Sequence, residues 1–245
     1  MNVGCFGMLI RNPILVSRII PHLYCRLKGH KNMITDLCFI DDIKGQSYLI
    51  SSSKDGLLKI WDLSLKACVD TVVDHAAEVS RIVYVREKGL VITGSVDSEI
   101  RIFKLKQENE ETDSEEDVHR LLSLHGSILR KSTSRIVGFS VSRPFPGEIV
   151  LGLASSDKSF ELFRFLKSEE LEKKLSRKKK RLREKGKMDV DEEPQLSDLE
   201  SVYSYFCDYK IGSFTFGKCN TSKKCIEVTI INKNQMNSNA TLSNR

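Results

Sequence analysis

The sequence lacks any run of eighteen uncharged apolar residues, which excludes a membrane-spanning helix. Its cysteines, at 5, 25, 38, 68, 207, 219 and 225, form no CxxC pair and no Cys/His spacing suited to zinc. Scattered through strand-like segments, they read as reduced thiols of a core. A complete glycine-rich phosphate loop is missing too, with Phe216-Gly-Lys-Cys219 only a fragment of one, and there is no nucleophile motif. The expectation is a non-enzyme without cofactor, metal or small-molecule substrate. Acid is absent before Asp36, but Arg11 and Arg18 split the apolar start, so neither the charge order nor the cleavage site of a secretory signal is clear. Residues 1–21 are left unassigned, as a mitochondrial presequence, a poorly folded lead-in or the end of an upstream strand.

The 245 residues are 40% hydrophobic and 29% charged, with a formal charge of +6. That excess is local. Lys167 to Lys187 holds 11 basic residues against 4 acidic, while the rest of the chain holds 28 against 29.

What is present is a repeat, which is sought before any motif. Ser53–Leu63, Ser95–Leu105 and Ser155–Phe165 align without gaps. In each, an Asp is followed six residues later by an aromatic: Asp55 and Trp61, Asp97 and Phe103, Asp157 and Phe163. Apolar and polar residues alternate between them, and an apolar strand precedes each Asp, so the unit is strand, tight turn, strand. Gly29-His30 and Asp74-His75 stand upstream of the first two units. The period is 42 residues from Asp55 to Asp97 and 60 from Asp97 to Asp157, the excess falling in a polar insertion that begins near Lys106. Gly-His, Ser-x-Asp and Trp-Asp at about 40 residues form the WD-repeat signature, one four-stranded propeller blade per repeat. The predicted fold is all-β: a partial WD-repeat propeller of about three blades plus the start of a fourth, with a charged helical linker. Blades occupy 22–167 with an acidic insertion at 106–120, the linker 168–200, a partial further blade 201–232, and a polar tail 233–245.

In WD-repeat proteins the turn His, a strand Ser/Thr, the turn Asp and the Trp form a linked hydrogen-bond network, and the resemblance assigns those roles here. The first blade carries His30, Ser51, Asp55 and Trp61. The second keeps His75, Thr93 and Asp97 but has Phe103, which cannot donate. The third keeps Asp157 and Ser155 and loses the His and the Trp. Recurrence of one spacing in two repeats favours a structural network over a catalytic His/Asp/Ser set.

Two charged segments interrupt the repeats. Glu108–Asp117 carries seven acids in ten residues and is expected as a disordered loop between blades. Thr112 and Ser114 each precede an acid by three residues, the pattern of an acidophilic phosphorylation site. Ser168 to Lys185 is expected as a helix, with Glu169, Glu170 and Glu172 at its start and Lys/Arg at its end. Leu171, Leu175 and Leu182 form a thin apolar stripe, so it projects or lies across a surface. Arg177, Lys178, Lys179, Lys180 and Arg181 fit a nuclear import signal or a contact with RNA phosphates, against a merely solvated linker. No aromatic interleaves them, so base stacking is not indicated.

The order Leu27-Lys-Gly-His30, Ile60-Trp-Asp-Leu63, Ile92-Thr-Gly-Ser95, Gly126 to Ile136, Phe160-Glu-Leu-Phe163 and the Glu/Lys-rich run to Arg183 resembles the WD repeat-containing protein three family. That family supplies a tandem-propeller subunit of the U-three small nucleolar ribonucleoprotein, the small-subunit processome. The resemblance implies a nucleolar scaffold in ribosomal RNA processing, here an incomplete fragment. Its partners would be other processome proteins through blade faces and edges, and small nucleolar or pre-ribosomal RNA through the basic linker, with no membrane involved. A generic WD-repeat adaptor, such as a ubiquitin-ligase substrate receptor or a signalling scaffold, is the competing reading.

Overall fold

Strands buried on both faces read as nearly continuous apolar runs, and Leu58, Ile60 and Trp61 are all buried within five residues of one strand. The computed structural model of the protein describes residues 5–10, 22–41, 46–106, 120–184, 198–217, 225–232 and 238–243. Among them, β1 (Cys5–Ile10) and β2 (His22–Lys28) pair as a hairpin. Three four-stranded antiparallel sheets follow in chain order. The first is β3 (Ile34–Asp41), β4 (Ser47–Ser53), β5 (Leu58–Asp62) and β6 (Ala67–Val72). The second is β7 (Val79–Val85), β8 (Leu90–Ser95), β9 (Glu99–Leu105) and β10 (Leu122–Leu129). The third is β11 (Ile136–Ser142), β12 (Val150–Ser155), β13 (Ser159–Phe165) and β14 (Leu199–Phe206). A three-stranded sheet of β15 (Ile211–Phe216), β16 (Cys225–Asn232) and β17 (Ser238–Ser243) completes the set. Helix α1 (Ser168–Glu184) leaves the third sheet between β13 and β14.

The sheets stack through their faces. Leu58 and Ile60 of β5 pack with Val79, Ile82 and Val91 of the second sheet. Ile100 and Ile102 of β9 pack with Ile136, Leu151 and Leu153 of the third. Phe160 and Leu162 of β13 meet Phe214, Val228 and Ile230 of the last sheet. The aromatic six residues after each Asp points the other way: Trp61 joins Leu27 of β2, Phe103 joins the first interface and Phe163 the second. The first strands of successive sheets lie side by side, β3 on β7, β7 on β11 and β11 on β15. Sheets approach closely at Gly94, where an added Cβ would clash with the Ile136 side chain.

Three expectations change here. The acidic stretch and the basic linker are expected between blades, but the strands that flank each of them pair within one sheet. The first joins β9 to β10, closed by Lys106 N–H donating to Leu121 O at 2.9 Å. The second joins β13 to β14, closed by Leu166 N–H donating to Asp198 O at 2.8 Å. The backbone ladder resumes beyond each insertion, so the chain returns to the sheet it left. Consequently the boundary drawn at 200/201 falls within β14, and the further sheet starts at Ile211. Within the unassigned 1–21, Cys5–Ile10 is a strand paired with β2.

Candidate functional site

In an antiparallel meander the connections alternate between the two ends of the sheet. The turns after β4, β8 and β12 carry Asp55, Asp97 and Asp157 at one end, with the segments that enter β3, β7 and β11. The connections after β5, β9 and β13 leave at the opposite end. The residues singled out by sequence therefore divide into a polar end and an insertion end.

At the polar end of the first sheet, Trp61 Nε1–H donates to Ser51 Oγ at 2.8 Å. Ser51 Oγ lies 2.7 Å from His30 Nε2, and His30 Nδ1 lies 3.0 Å from Asp55 Oδ2. An indole only donates and a carboxylate only accepts. For a neutral ring, Ser51 then donates to Nε2 and Nδ1–H donates to Asp55. Burial pushes the Asp55 carboxyl up, but the N–H groups of Lys31 and Leu57 and the His30 ring outweigh it and hold it below its ordinary value.

The second sheet runs the same positions in the opposite proton direction. Phe103 offers no donor, and Arg101 Nη1 reaches both His75 Nδ1 (2.6 Å) and Asp97 Oδ2 (2.7 Å). Because a guanidinium only donates, Nδ1 accepts and His75 Nε2–H donates to Thr93 Oγ1 at 2.8 Å. Burial, and then the Arg101 charge, push the His75 pKa down to about 4.

The third sheet replaces nearly every part. Leu153 occupies the place of Ser51 and Thr93, whereas Ser155, read as the network serine, aligns with Ser53 and Ser95. Ser132 stands where His30 and His75 stand, four residues before the strand, and its hydroxyl donates to Asp157 Oδ2 at 2.7 Å. Glu161, in the place of Lys59 and Arg101, is 1% exposed and accepts from the N–H groups of Lys131 (3.1 Å) and Ser132 (3.2 Å). Arg130, also buried, donates to Ser95 O of the second sheet (2.8 Å) and to Ser134 O (3.1 Å) and Ser155 Oγ (3.3 Å). Burial lowers its pKa against the pull of Glu161, Asp157 and Asp97. Sequence reasoning missed Arg101, Arg130, Ser132 and Glu161. The signal for Arg101 and Glu161 was a fixed offset of four residues after each Asp.

At the insertion end, four charges alternate at the root of α1. Glu170 Oε2 pairs with Arg164 Nη1 at 3.2 Å, Arg164 Nη2 with Glu200 Oε2 at 2.8 Å, and Lys174 Nζ with Glu200 Oε1 at 2.5 Å. Glu170, Leu171, Lys174, Leu175 and Lys178 form the half-buried stripe, and Glu172, Lys173, Ser176, Arg177 and Lys180 are exposed. The helix therefore lies against its sheet and turns a mainly basic face outward. Of the predicted basic run, Arg177 and Lys180 are on that face and Lys178 is half-buried, while the side chains of Lys179 and Arg181 lie outside the described residues. Thr112 and Ser114 also lie outside the described residues. The root of this insertion touches the second sheet, where His125 Nε2 of β10 lies 3.4 Å from Asp198 Oδ1. His125 first among its neighbours draws the Asp198 carboxyl below its ordinary value. Among the described residues no three His, Cys, Asp or Glu side chains group as a metal site, and no helix is long and apolar enough to cross a membrane.

Residues 22–62, from β2 through the His30–Asp55–Trp61 hairpin, match the family described as WD domain, G-beta repeat. The chain carries a WD repeat. Its sheets resemble a chain of the mitotic checkpoint complex, with a TM-score of 0.52 at 12% identity over 90% of this chain and 52% of that one. The computationally designed protein Ika8 is similar, with a TM-score of 0.51 at 13% identity over 88% and 48%. Both likenesses concern the fold alone. The chain is 31% identical over 164 residues to U3 small nucleolar RNA-associated protein 12 of Saccharomyces cerevisiae, covering 66% of this chain and 16% of that protein. It is 32% identical over 80 residues to the ribosome biogenesis protein WDR12 homolog of Culex quinquefasciatus, covering 33% and 18%. Mitochondrial division protein 1 of Coccidioides immitis is 35% identical over 96 residues, covering 39% and 14%. The chain thus spans under a fifth of the length of each of these relatives. The chain is thus similar, over a WD repeat and its surroundings, to proteins named for U3 RNA association and for ribosome biogenesis.

Proposed function

We propose that this chain is a non-enzymatic WD-repeat scaffold of the small-subunit processome, working in the nucleolus in the processing of small-subunit ribosomal RNA. The observation that carries the reading is the 31% identity over 164 residues to a protein named for association with U3 small nucleolar RNA. About three blades and part of another offer faces and edges to other processome proteins. The outward face of α1 adds a cationic contact for small nucleolar or pre-ribosomal RNA, whose phosphates need positive charge rather than stacking surface. The same basic run serves nuclear import. His30, Ser51, Asp55 and Trp61, with His75, Thr93, Asp97 and Asp157, act in this reading as structural ties at the polar end of each blade. Thr112 and Ser114 are candidate phosphorylation sites within the acidic insertion.

The test is to recover the tagged full chain from cells and measure U3 RNA against an unrelated small RNA. Enrichment, with nucleolar staining lost when residues 177–181 are all replaced by Ala, is the expected result. Diffuse cytoplasmic signal without U3 enrichment overturns it. The identity to mitochondrial division protein 1 favours a second reading, a generic WD-repeat adaptor such as a ubiquitin-ligase substrate receptor or a signalling scaffold. Under that reading the recovered material contains ligase or signalling proteins and no excess of U3.

A further inference from the structure

Ser176 sits in the middle of the exposed face of α1, its hydroxyl donating to Glu172 O at 2.8 Å. On a helix, residues three and four apart are neighbours. Lys173 and Lys180 therefore flank Ser176 along the axis, with Arg177 beside it, and all three are exposed. Lys173 and Lys174 stand three and two positions before it, a charge pattern read by protein kinases whose substrate groove is acidic. The ion pairs at the root of the helix, through Glu170 and Lys174, both precede Ser176. Offering Lys173 and Lys174 to a kinase exchanges the part-exposed Lys174–Glu200 pair for the kinase's own carboxylates and leaves Glu170 on Arg164, a local opening at the surface of the sheet. The other serine or threonine after paired bases, Thr133 behind Arg130-Lys131, is exposed, but Arg130 is 6% exposed and tied to Ser95 O. A kinase cannot take hold of that arginine without opening the fold.

We propose that Ser176 is a phosphorylation site for a basic-directed protein kinase, and that its phosphate switches off the cationic face of α1. In the transfer, the Ser176 oxygen attacks the γ-phosphorus of ATP, the bond from that phosphorus to the ADP oxygen breaks, and the hydroxyl proton passes to the kinase's base. The product is a phosphoserine of charge about −2, which lowers the net charge of Lys167 to Lys187 from +7 to roughly +5. The phosphate also competes for Lys173, Arg177 and Lys180, the cations otherwise offered to RNA. This second step rests on the RNA contact proposed above; the modification itself does not.

The experiment treats the full chain with ATP and the catalytic subunit of cyclic-AMP-dependent kinase. The site is mapped by mass spectrometry, and the modified and unmodified chains are compared on heparin and on a U3-derived RNA over a salt series. One phosphate at Ser176, absent in Ser176→Ala, with earlier elution from heparin, is the expected outcome. Losing about two phosphate contacts lowers RNA affinity roughly tenfold near 0.15 M salt and flattens the salt slope by about 1.5. Phosphate on Thr133 instead, or none at Ser176, overturns the assignment. Modification at Ser176 that leaves heparin elution unchanged overturns the switch. If the unmodified chain ignores RNA while heparin elution still shifts, the RNA contact fails and the modification site stands.

Discussion

In the first sheet a polar chain runs from Trp61 through Ser51 and His30 to Asp55, whose carboxylate sits at the rim. In the third sheet Leu153 and Phe163 make the same strand positions apolar. Charge instead enters through Glu161 and Arg130, 1% and 6% exposed. Both sheets place an Asp in the same turn and bury the same pair of strands. The difference teaches that the WD-repeat hairpin needs its turn and its packing, and that the polar tie can be rebuilt from other parts. The second sheet stands between them, keeping His75 and Thr93 but reversing the direction of donation because Arg101 replaces a lysine and Phe103 replaces a tryptophan.

The largest break in that comparison is expected at the rebuilt tie. Arg130→Ala leaves Glu161 buried beside Asp157 without the cation that offsets both, and removes three hydrogen bonds. Denaturant unfolding should register a loss of about 3 kcal/mol, the order expected when hydrogen bonds from a buried charged group are lost. Lys59→Ala in the first sheet, which removes a hydrogen bond to Thr71, should cost about 1 kcal/mol. Equal losses at the two positions would show that the third sheet does not depend on its buried charge.

Next in size is a pH effect confined to the second sheet. His75 has a folded pKa near 4 against an ordinary 6.5, so between those values the unfolded chain binds the extra proton. Stability therefore rises with pH across the window and falls as pH drops from about 6.5 to about 4, by up to about 3 kcal/mol. A melting temperature that falls over this window, with the fall blunted in His75→Asn, is the expected result. A flat profile in the unaltered chain counts against the Arg101-directed tautomer.

The smallest effect lies in the turns. The residue after each Asp has positive φ: Gly56 at 80°, Ser98 at 70° and Lys158 at 75°. Only the first sheet has glycine there, and a side chain in this region costs about 1 kcal/mol. Ser98→Gly and Lys158→Gly should each raise stability by roughly that amount, read as a higher denaturation midpoint. No gain at either position would mean the hydrogen bonds of the Asp turns already absorb the strain.

Much of the fold was legible because an apolar strand, an Asp turn and the Asp-to-aromatic spacing recur in all three hairpins. The position of the insertions was not. A charged stretch between two strand patterns looks the same whether it joins two sheets or two strands of one. The decisive information is the ladder between Phe165 and Leu199, a pairing across 34 positions of sequence. The first ladder was readable from Gly-His, Asp and Trp. The third was not, because Ser132, Glu161 and Arg130 carry no signature of their own and acquire meaning only from the offsets they share with other repeats. The strand in 1–21 was hidden because its partner, β2, is one strand with no repeat around it.

The connections after β5, β9 and β13 hold four, sixteen and thirty-three residues, yet each returns to a ladder of the same kind. Chain entropy explains why this is tolerated. Closing a flexible loop costs (3/2)RT ln n, so growth from four to thirty-three residues adds only about 2 kcal/mol, and a helix within the loop reduces the number of free links. Length at this end is thus nearly free, whereas a single added residue in an Asp turn at the other end would misalign a whole ladder. The two ends of each sheet differ in what they permit: one fixes the register, and the other can exchange its cargo of charge while the sheet stays as it is.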